Sequence, residues 1–297
     1  MKRIIKKKTD DALVGIVTAI LLIGLIVIVI SIIQIVYVPI VMEQREAEHM
    51  DRVAEQFGFL TSVIDDQAAD ERKGIPVATF VTLGSKELPF LVSSKAYGTL
   101  EVLDNSCSIN IQNDSIEYTF PIGKITYSSS NAYYLDQTYT YEAGSMIVSQ
   151  SEGNLMMSQS CFNIDYNYTY ERLNISFDVV NISSVGQKTI ATGSGICALQ
   201  TEFHEISVNK TFKEVSNFNI TFTTQNSNAW YVLFNSLLYL AGLDEVDDLN
   251  LDCDDSKQTV SITYIEPLIP YFEEVNVFFR IIDIEAQIGP GWIEQSG

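Results

Sequence analysis

Histidine is scarce in this 297-residue chain, with two in all, and basic residues are outnumbered, 18 Lys and Arg against 38 Asp and Glu, for a formal net charge of −20. Each shortage excludes something. His49 and His204 have no second histidine three or four residues away, so no helical metal pair exists. There is no Gly-x-Ser-x-Gly elbow and no phosphate-cradling glycine loop; the nearest string, Gly193-Ser194-Gly195, reads as a turn. Five of the 18 basic residues fall in the first eight positions, which leaves no basic patch for nucleic acid further on. The acidity suits solubility and mutual repulsion at a surface. With no catalytic constellation legible, a non-enzymatic role without a cofactor is expected.

What the chain does have is a long run without charge. From Ala12 to Val38 only Thr18, Ser31, Gln34 and Tyr37 interrupt apolar residues and glycine. As a helix this run is about 40 Å long, and a bilayer core of ~30 Å needs only about 20 residues. A secretory signal has a shorter apolar core, about 7–15 residues, and ends in small residues, whereas this run ends in Tyr37-Val38-Pro39-Ile40. Lys2, Arg3, Lys6, Lys7 and Lys8 precede it; Glu43, Glu46, Glu48 and Asp51 follow it. The positive-inside rule then expects a single-pass membrane protein with a cytoplasmic N-terminus and an extracellular C-terminus.

Past Pro39, Met50, Val53, Phe57, Leu60 and Ile64 are spaced 3, 4, 3, 4 among charged residues, one apolar stripe on a wet helix. Helix is expected from Asp10 to Asp65, fading through Asp70 and ended by Gly74-Ile75-Pro76, with Pro39 kinking it without breaking it. Beyond Gly74, short β-branched and aromatic runs alternate with Asn, Ser, Gly and Pro, the pattern of an all-β sandwich or barrel. One helix interrupts, over "NSNAWYVLFNSLLYLAGLDE", capped by Asn226 or Ser227 and ended by Gly242. The expected fold class is α+β, a long transmembrane and amphipathic helix followed by an extracellular sandwich-like β domain with one short helix. The boundaries are a basic tip or leader over 1–9, a transmembrane or assembly helix over 10–39, its amphipathic continuation over 40–74 and the β domain over 75–297.

Four cysteines, Cys107, Cys161, Cys197 and Cys253, lie in that exterior. An even number outside the cell favours disulfides of undecided connectivity. Six sequons, at Asn113, Asn167, Asn174, Asn181, Asn209 and Asn219, are candidate glycosylation sites. "LDEVDDLNLDCDD" packs seven carboxylates into twelve residues, and Asp248, Asp252 and Asp254 are the candidate Ca²⁺ ligands. Its fit to an EF-hand loop is poor, because Cys253 and Thr259 stand where Gly and Glu are needed. The first reading of the stretch is a solvated acidic loop. The tyrosines of "SSSNAYYLDQTYTYEAG" suit either a sugar- or protein-binding loop or ordinary strand faces.

A basic tip, then "DDALVGIVTAILLIGLIVIVISI", then an amphipathic helix leading into an exported β domain, resembles archaeal type IV pilins and archaellins. The resemblance covers residues 1 to about 70. It implies a class III signal cut by a prepilin-type peptidase near Thr9 and Asp10, with Asp10, Asp11, Gly15 and the apolar run retained as the assembly segment. It also implies a surface filament in which these helices pack against copies of the chain or other pilin-like subunits, beneath an outward, often glycosylated head. Where the family's cut follows Gly or Ala, this chain has Lys8-Thr9. A second reading is therefore an uncut, anchored ectodomain that binds a carbohydrate or an envelope protein.

Overall fold

The computed structural model describes residues 2–85, 88, 94–113, 116–159, 161–243, 246, 248–267 and 271–289, with the side chains of residues 2–12 and of Cys161 outside the description. Its first feature is an unbroken helical rod: α1 (Lys2–Ile32), a five-residue π-helical turn (Ile33–Tyr37) and α2 (Val38–Asp70). Pro39 has no N–H to give and its ring crowds the preceding turn. The widened turn just before it, in which the Val38 N–H reaches the Ile33 carbonyl, lets the rod continue past the proline. Within the stretch where the helix was expected to fade, the rod runs to Asp70, where Glu71 takes the left-handed conformation and returns its N–H to Gln67.

The strands follow in chain order. The first group is β1 (Val77–Thr82), β2 (Tyr97–Asn113), β3 (Ile116–Ser130), β4 (Thr138–Glu142), β5 (Ser145–Gln150) and β6 (Gly153–Ser158). The second is β7 (Cys161–Asn167), β8 (Arg172–Ser184), β9 (Ile190–Gly193), β10 (Ile196–Phe212) and β11 (Asn217–Thr223). Helix α3 (Ser227–Leu240) precedes β12 (Leu249–Asp254), β13 (Thr259–Ile265) and β14 (Glu274–Ile288). One sheet runs β1-β10-β14-β8-β7, the other β12-β13-β11-β2-β3-β4-β5-β6 with β9 on β2, and among the described residues only the β14–β8 pair is parallel. The expected sandwich-like β domain with one short helix is the observed one.

Between the sheets lie two cores. Leu173, Ile175, Phe177 and Val179 of β8 and Val275, Val277, Phe279 and Ile281 of β14 join Ile109 and Ile111 of β2 under α3. Val180 and Ile182 of β8, Ile282 and Ile284 of β14, and Leu100 and Val102 of β2 join the stripe of α2. In β8 and β14 the buried set changes phase at paired positions, Val179-Val180 beside Ile281-Ile282. In β2 the change falls at a bulge between Leu103 and Cys107. At this seam β3 passes so near β8 that a side chain on Gly123 would meet the Ile182 carbonyl.

Helix α3 closes its own core. Gly242, at φ +70°, ends it in a Schellman turn: the Leu243 N–H reaches Leu238 and the Gly242 N–H reaches Tyr239. Asn226 precedes it, but its side chain makes no capping bond.

Candidate functional site: the apolar helix and its junction with the β domain

The rod has two halves of opposite character. From Leu13 to Tyr37 nearly every large apolar side chain faces outward, and this is the one helix among the described residues long and apolar enough to cross a membrane. Its hydroxyls are internally satisfied: Thr18 donates to the Val14 carbonyl at 2.9 Å and Ser31 to the Val27 carbonyl at 2.8 Å. In lipid, where water offers no partner, such i−4 bonds remove the cost of a buried hydroxyl.

The second half is docked. Met50, Val53, Phe57, Leu60 and Ile64, the stripe legible in the sequence, are all buried against β1, β10, β4 and β5. Phe57 lies between Tyr127 and Tyr139, with ring centroids 6.3 and 5.9 Å away. Burial holds both phenols neutral and pushes Tyr139 up to about 12. Each such apolar side chain contributes about 1.5–3 kcal/mol when buried, so this half has no reason to seek another cover.

Two polar residues sit in the same stripe. Glu46 is fully buried, and its carboxylate accepts the backbone N–H groups of Ala132, Tyr133 and Tyr134 at 3.2, 2.7 and 2.8 Å. His49 is buried beside Tyr127. The Tyr127 hydroxyl donates to the Leu83 carbonyl at 2.8 Å, so its oxygen accepts from His49 Nε2 at 3.1 Å. That assigns the imidazole its Nε2–H tautomer. Desolvation, with the Arg52 charge nearby, lowers the His49 pKa and keeps it neutral. Further up, Gln67 donates to the Thr201 carbonyl and Glu202 accepts the Gly74 N–H. The tyrosine-rich stretch, read above either as a sugar- or protein-binding loop or as ordinary strand faces, is in part strand β4 and largely taken: Tyr139 and Tyr141 are buried on α2 and the loop amides close on Glu46.

Apart from the processing residues Thr9 and Asp10, the remaining sites were expected in the β domain. Thr9 and Asp10 lie within α1, with side chains outside the description. Cys107, Cys197 and Cys253 carry free thiols, which corrects the disulfide expectation for these three. Register explains it. Cys253 faces Val260, then Phe222, then Ile109 of β2, three strand spacings or about 14 Å, against about 7 Å at most for a disulfide. Cys197 is in the other sheet, opposite Val81.

Asp248 precedes β12 and Asp254 ends it, six residues or about 20 Å apart. Asp254 is spent on its own turn, accepting from Ser256 and Lys257, which hold its carboxyl at about 2. Asp248, Asp252 and Asp254 therefore do not converge, and among the described residues no acidic, Cys or His group is arranged for a metal; Asp244, Glu245 and Asp247 lie outside the described residues. Part of the stretch read as an acidic loop is strand β12. His204 pairs with Glu285 at 3.2 Å.

The sequons divide by exposure. Asn167 and Asn209 are exposed, while Asn113, Asn174, Asn181 and Asn219 are half-buried. Asn181 is committed at the seam, accepting the Gly123 N–H at 2.9 Å and donating to Asp283 at 2.8 Å.

Sequence reasoning passed over a polar cleft of about 870 Å³ on the outer face of the larger sheet, lined by Thr126, Ser128, Thr138, Thr140, Ser149 and Asn226 among others. Lys124 also lines it and is paired with Glu142 at 3.8 Å, both buried. Glu142 also accepts from Thr224 Oγ1 at 2.6 Å, Trp230 Nε1 at 3.0 Å and Asn226 Nδ2 at 3.3 Å. The cross-strand pairing of Lys124 with Glu142 was the missing signal, and it requires the register of β3 and β4.

A family model described as "Family of unknown function (DUF7289)" matches residues 12–267. No curated protein matches the chain. Among solved structures, the crystal structure of the ywiB protein from Bacillus subtilis is 11% identical over 57% of this chain and 91% of its own, with a TM-score of 0.15, too low to bear on the fold.

Proposed function

The chain belongs to the family of unknown function DUF7289, and from its own geometry we propose that it is a pilin-like, membrane-anchored surface subunit without enzymatic activity. One observation carries this reading: a single rod, bare and apolar in its first half, is locked into a β domain by its second. The basic tip supports an N-terminus inside and a β domain outside. The stripe from Met50 to Ile64 is covered by the chain's own head, so assembly into a filament falls to the apolar half alone. Helices that leave lipid to pack on copies of one another keep that surface out of water.

The test is the mature N-terminus of the membrane-extracted protein together with the sheared filament fraction. A start near Asp10 and recovery of the chain in filaments are expected. An intact Met1-Lys2-Arg3 terminus and a chain confined to membranes would leave the second reading, a single-pass anchored ectodomain. That reading draws on the polar cleft over Lys124, whose ladder of Ser, Thr and Asn side chains suits a hydroxyl-rich ligand such as a carbohydrate.

A further inference from the structure

Beside the docked helix, where it leaves the apolar run, is a second cavity of about 480 Å³. Three elements wall it. Helix α2 supplies Arg45, Glu48, His49 and Arg52, the segment after β1 supplies Gly84 and Ser85, and the turn from β9 to β10 supplies Ser194 and Gly195. Among the described residues two polar atoms here have no partner although their residues are more than nine-tenths buried: Ser85 Oγ and His49 Nδ1. A buried polar group left unmet is destabilising, and both residues line the cavity.

Their chemistry specifies an occupant. Ser85 offers an O–H donor. His49, with its proton on Nε2, offers Nδ1 as an acceptor, which calls for a hydroxyl on the ligand. Arg45, a part-buried residue, and Arg52, an exposed one, bring two guanidinium forks suited to phosphate oxygens in a chain of net charge −20. Glu48 partly offsets them, and its carboxylate is engaged by Gln44 at 3.1 Å.

Position adds the source. Arg45 is seven residues past Val38, about 10 Å along the axis, against a headgroup layer of roughly 5–8 Å per leaflet. Cα–Cβ bonds on a helix tilt toward its N-terminus, which here is the direction of the apolar segment. We propose that this cavity binds a hydroxyl-bearing phosphate ester, the glycerol phosphate headgroup of a lipid in the same leaflet. The phosphate oxygens accept from Arg45, Arg52 and Ser85, and a glycerol hydroxyl donates to His49 Nδ1. The lipid as source rests on the anchored reading above; the phosphate chemistry does not.

The test uses the full chain in phosphate-free alkyl maltoside and in nanodiscs. Native mass spectrometry is expected to show phosphatidylglycerol retained over phosphatidylcholine, with retention reduced tenfold or more in Arg45→Gln/Arg52→Gln and several-fold in Ser85→Ala. Titration with glycerol phosphate in detergent reads the soluble arm. Binding there, lost in the same variants but with no lipid preference, would keep the phosphate site and overturn the lipid source. Equal binding by wild type and Ser85→Ala in both arms, or no binding in either, overturns the site. Ser85→Ala removes one oxygen, and its thermal melt separates lost binding from lost folding. Alkaline extraction of the wild type from membranes tests the anchor separately.

Discussion

Gln56 and Thr82 hold each other twice: the Gln56 amide donates to the Thr82 hydroxyl at 3.0 Å, and its oxygen accepts the Thr82 backbone N–H at 2.8 Å. Strand β1 is the edge of its sheet, paired on one side with β10, and an edge N–H is a template for unwanted pairing. Gln56 fills that place from the helix. Gln56→Leu keeps the volume but removes both bonds and should cost about 1–3 kcal/mol. Urea unfolding in detergent, followed by near-ultraviolet circular dichroism, measures it; an unchanged midpoint would sink this account of the edge.

Glu46 should matter more. Its carboxylate collects three amide donors from a segment more than eighty residues further along, and bonds to a charged acceptor contribute about 1.5–3 kcal/mol each. Glu46→Ala strands those amides, so a loss of about 3 kcal/mol or more is expected, together with new proteolytic cutting within residues 131–137. Glu46→Gln, which keeps an oxygen acceptor, should lose less and resist the protease better.

His49 predicts an acid-sensitive junction. Its folded pKa is lowered by burial, while the unfolded value is about 6.5. Above that pH neither state binds the proton and the stability is complete. As pH falls below it the unfolded chain takes up a proton that the folded one refuses, and stability declines by up to ~1.4 kcal/mol per pH unit until the folded group titrates. Melting temperature between pH 7.5 and 5 should fall more steeply in the wild type than in His49→Gln. Parallel curves would mean His49 does not titrate differentially.

Much of this junction was legible beforehand and some was not, for reasons visible in single residues. The stripe from Met50 to Ile64 announced a docked helix because its period is local. Glu46 and His49 are part of the same stripe but are polar, and their partners come from β3 and the 131–134 loop, which no local pattern can supply. Strand β12 was obscured because Asp252 and Asp254 alternate with Leu251 and Cys253, and carboxylate density masked the period of two. The cysteines misled because even parity says nothing of register, and register sets Cys253 and Cys107 strands apart.

The sequons can be ranked on the exported reading. Asn167 is exposed, and its oxygen accepts the N–H groups of Thr169 and Tyr170. Asn209 is exposed on β10. Asn181 has both ends of its amide engaged at the seam. Glycopeptide mass spectrometry of the native protein should find sugar on Asn167 and Asn209 and none on Asn181. A glycan on Asn181 would mean that the seam is open when the protein is modified.

Lys124 and Glu142 yield the sharpest asymmetry between two substitutions. Glu142 is held by three neutral donors besides the ammonium, so Lys124→Met leaves a buried carboxylate that still has hydrogen bonds. Glu142→Ala instead strands the Trp230 indole, Thr224, Asn226 and the Lys124 charge together. Removing one partner of a buried pair costs about 3–5 kcal/mol, and Glu142→Ala should sit at or above that range while Lys124→Met falls below it. Trp230 packs on Phe222 and Phe234 beneath this carboxylate, so its fluorescence reports the loss directly. Equal destabilisation by the two variants would show that the ammonium, and not the set of neutral donors, holds Glu142 in place.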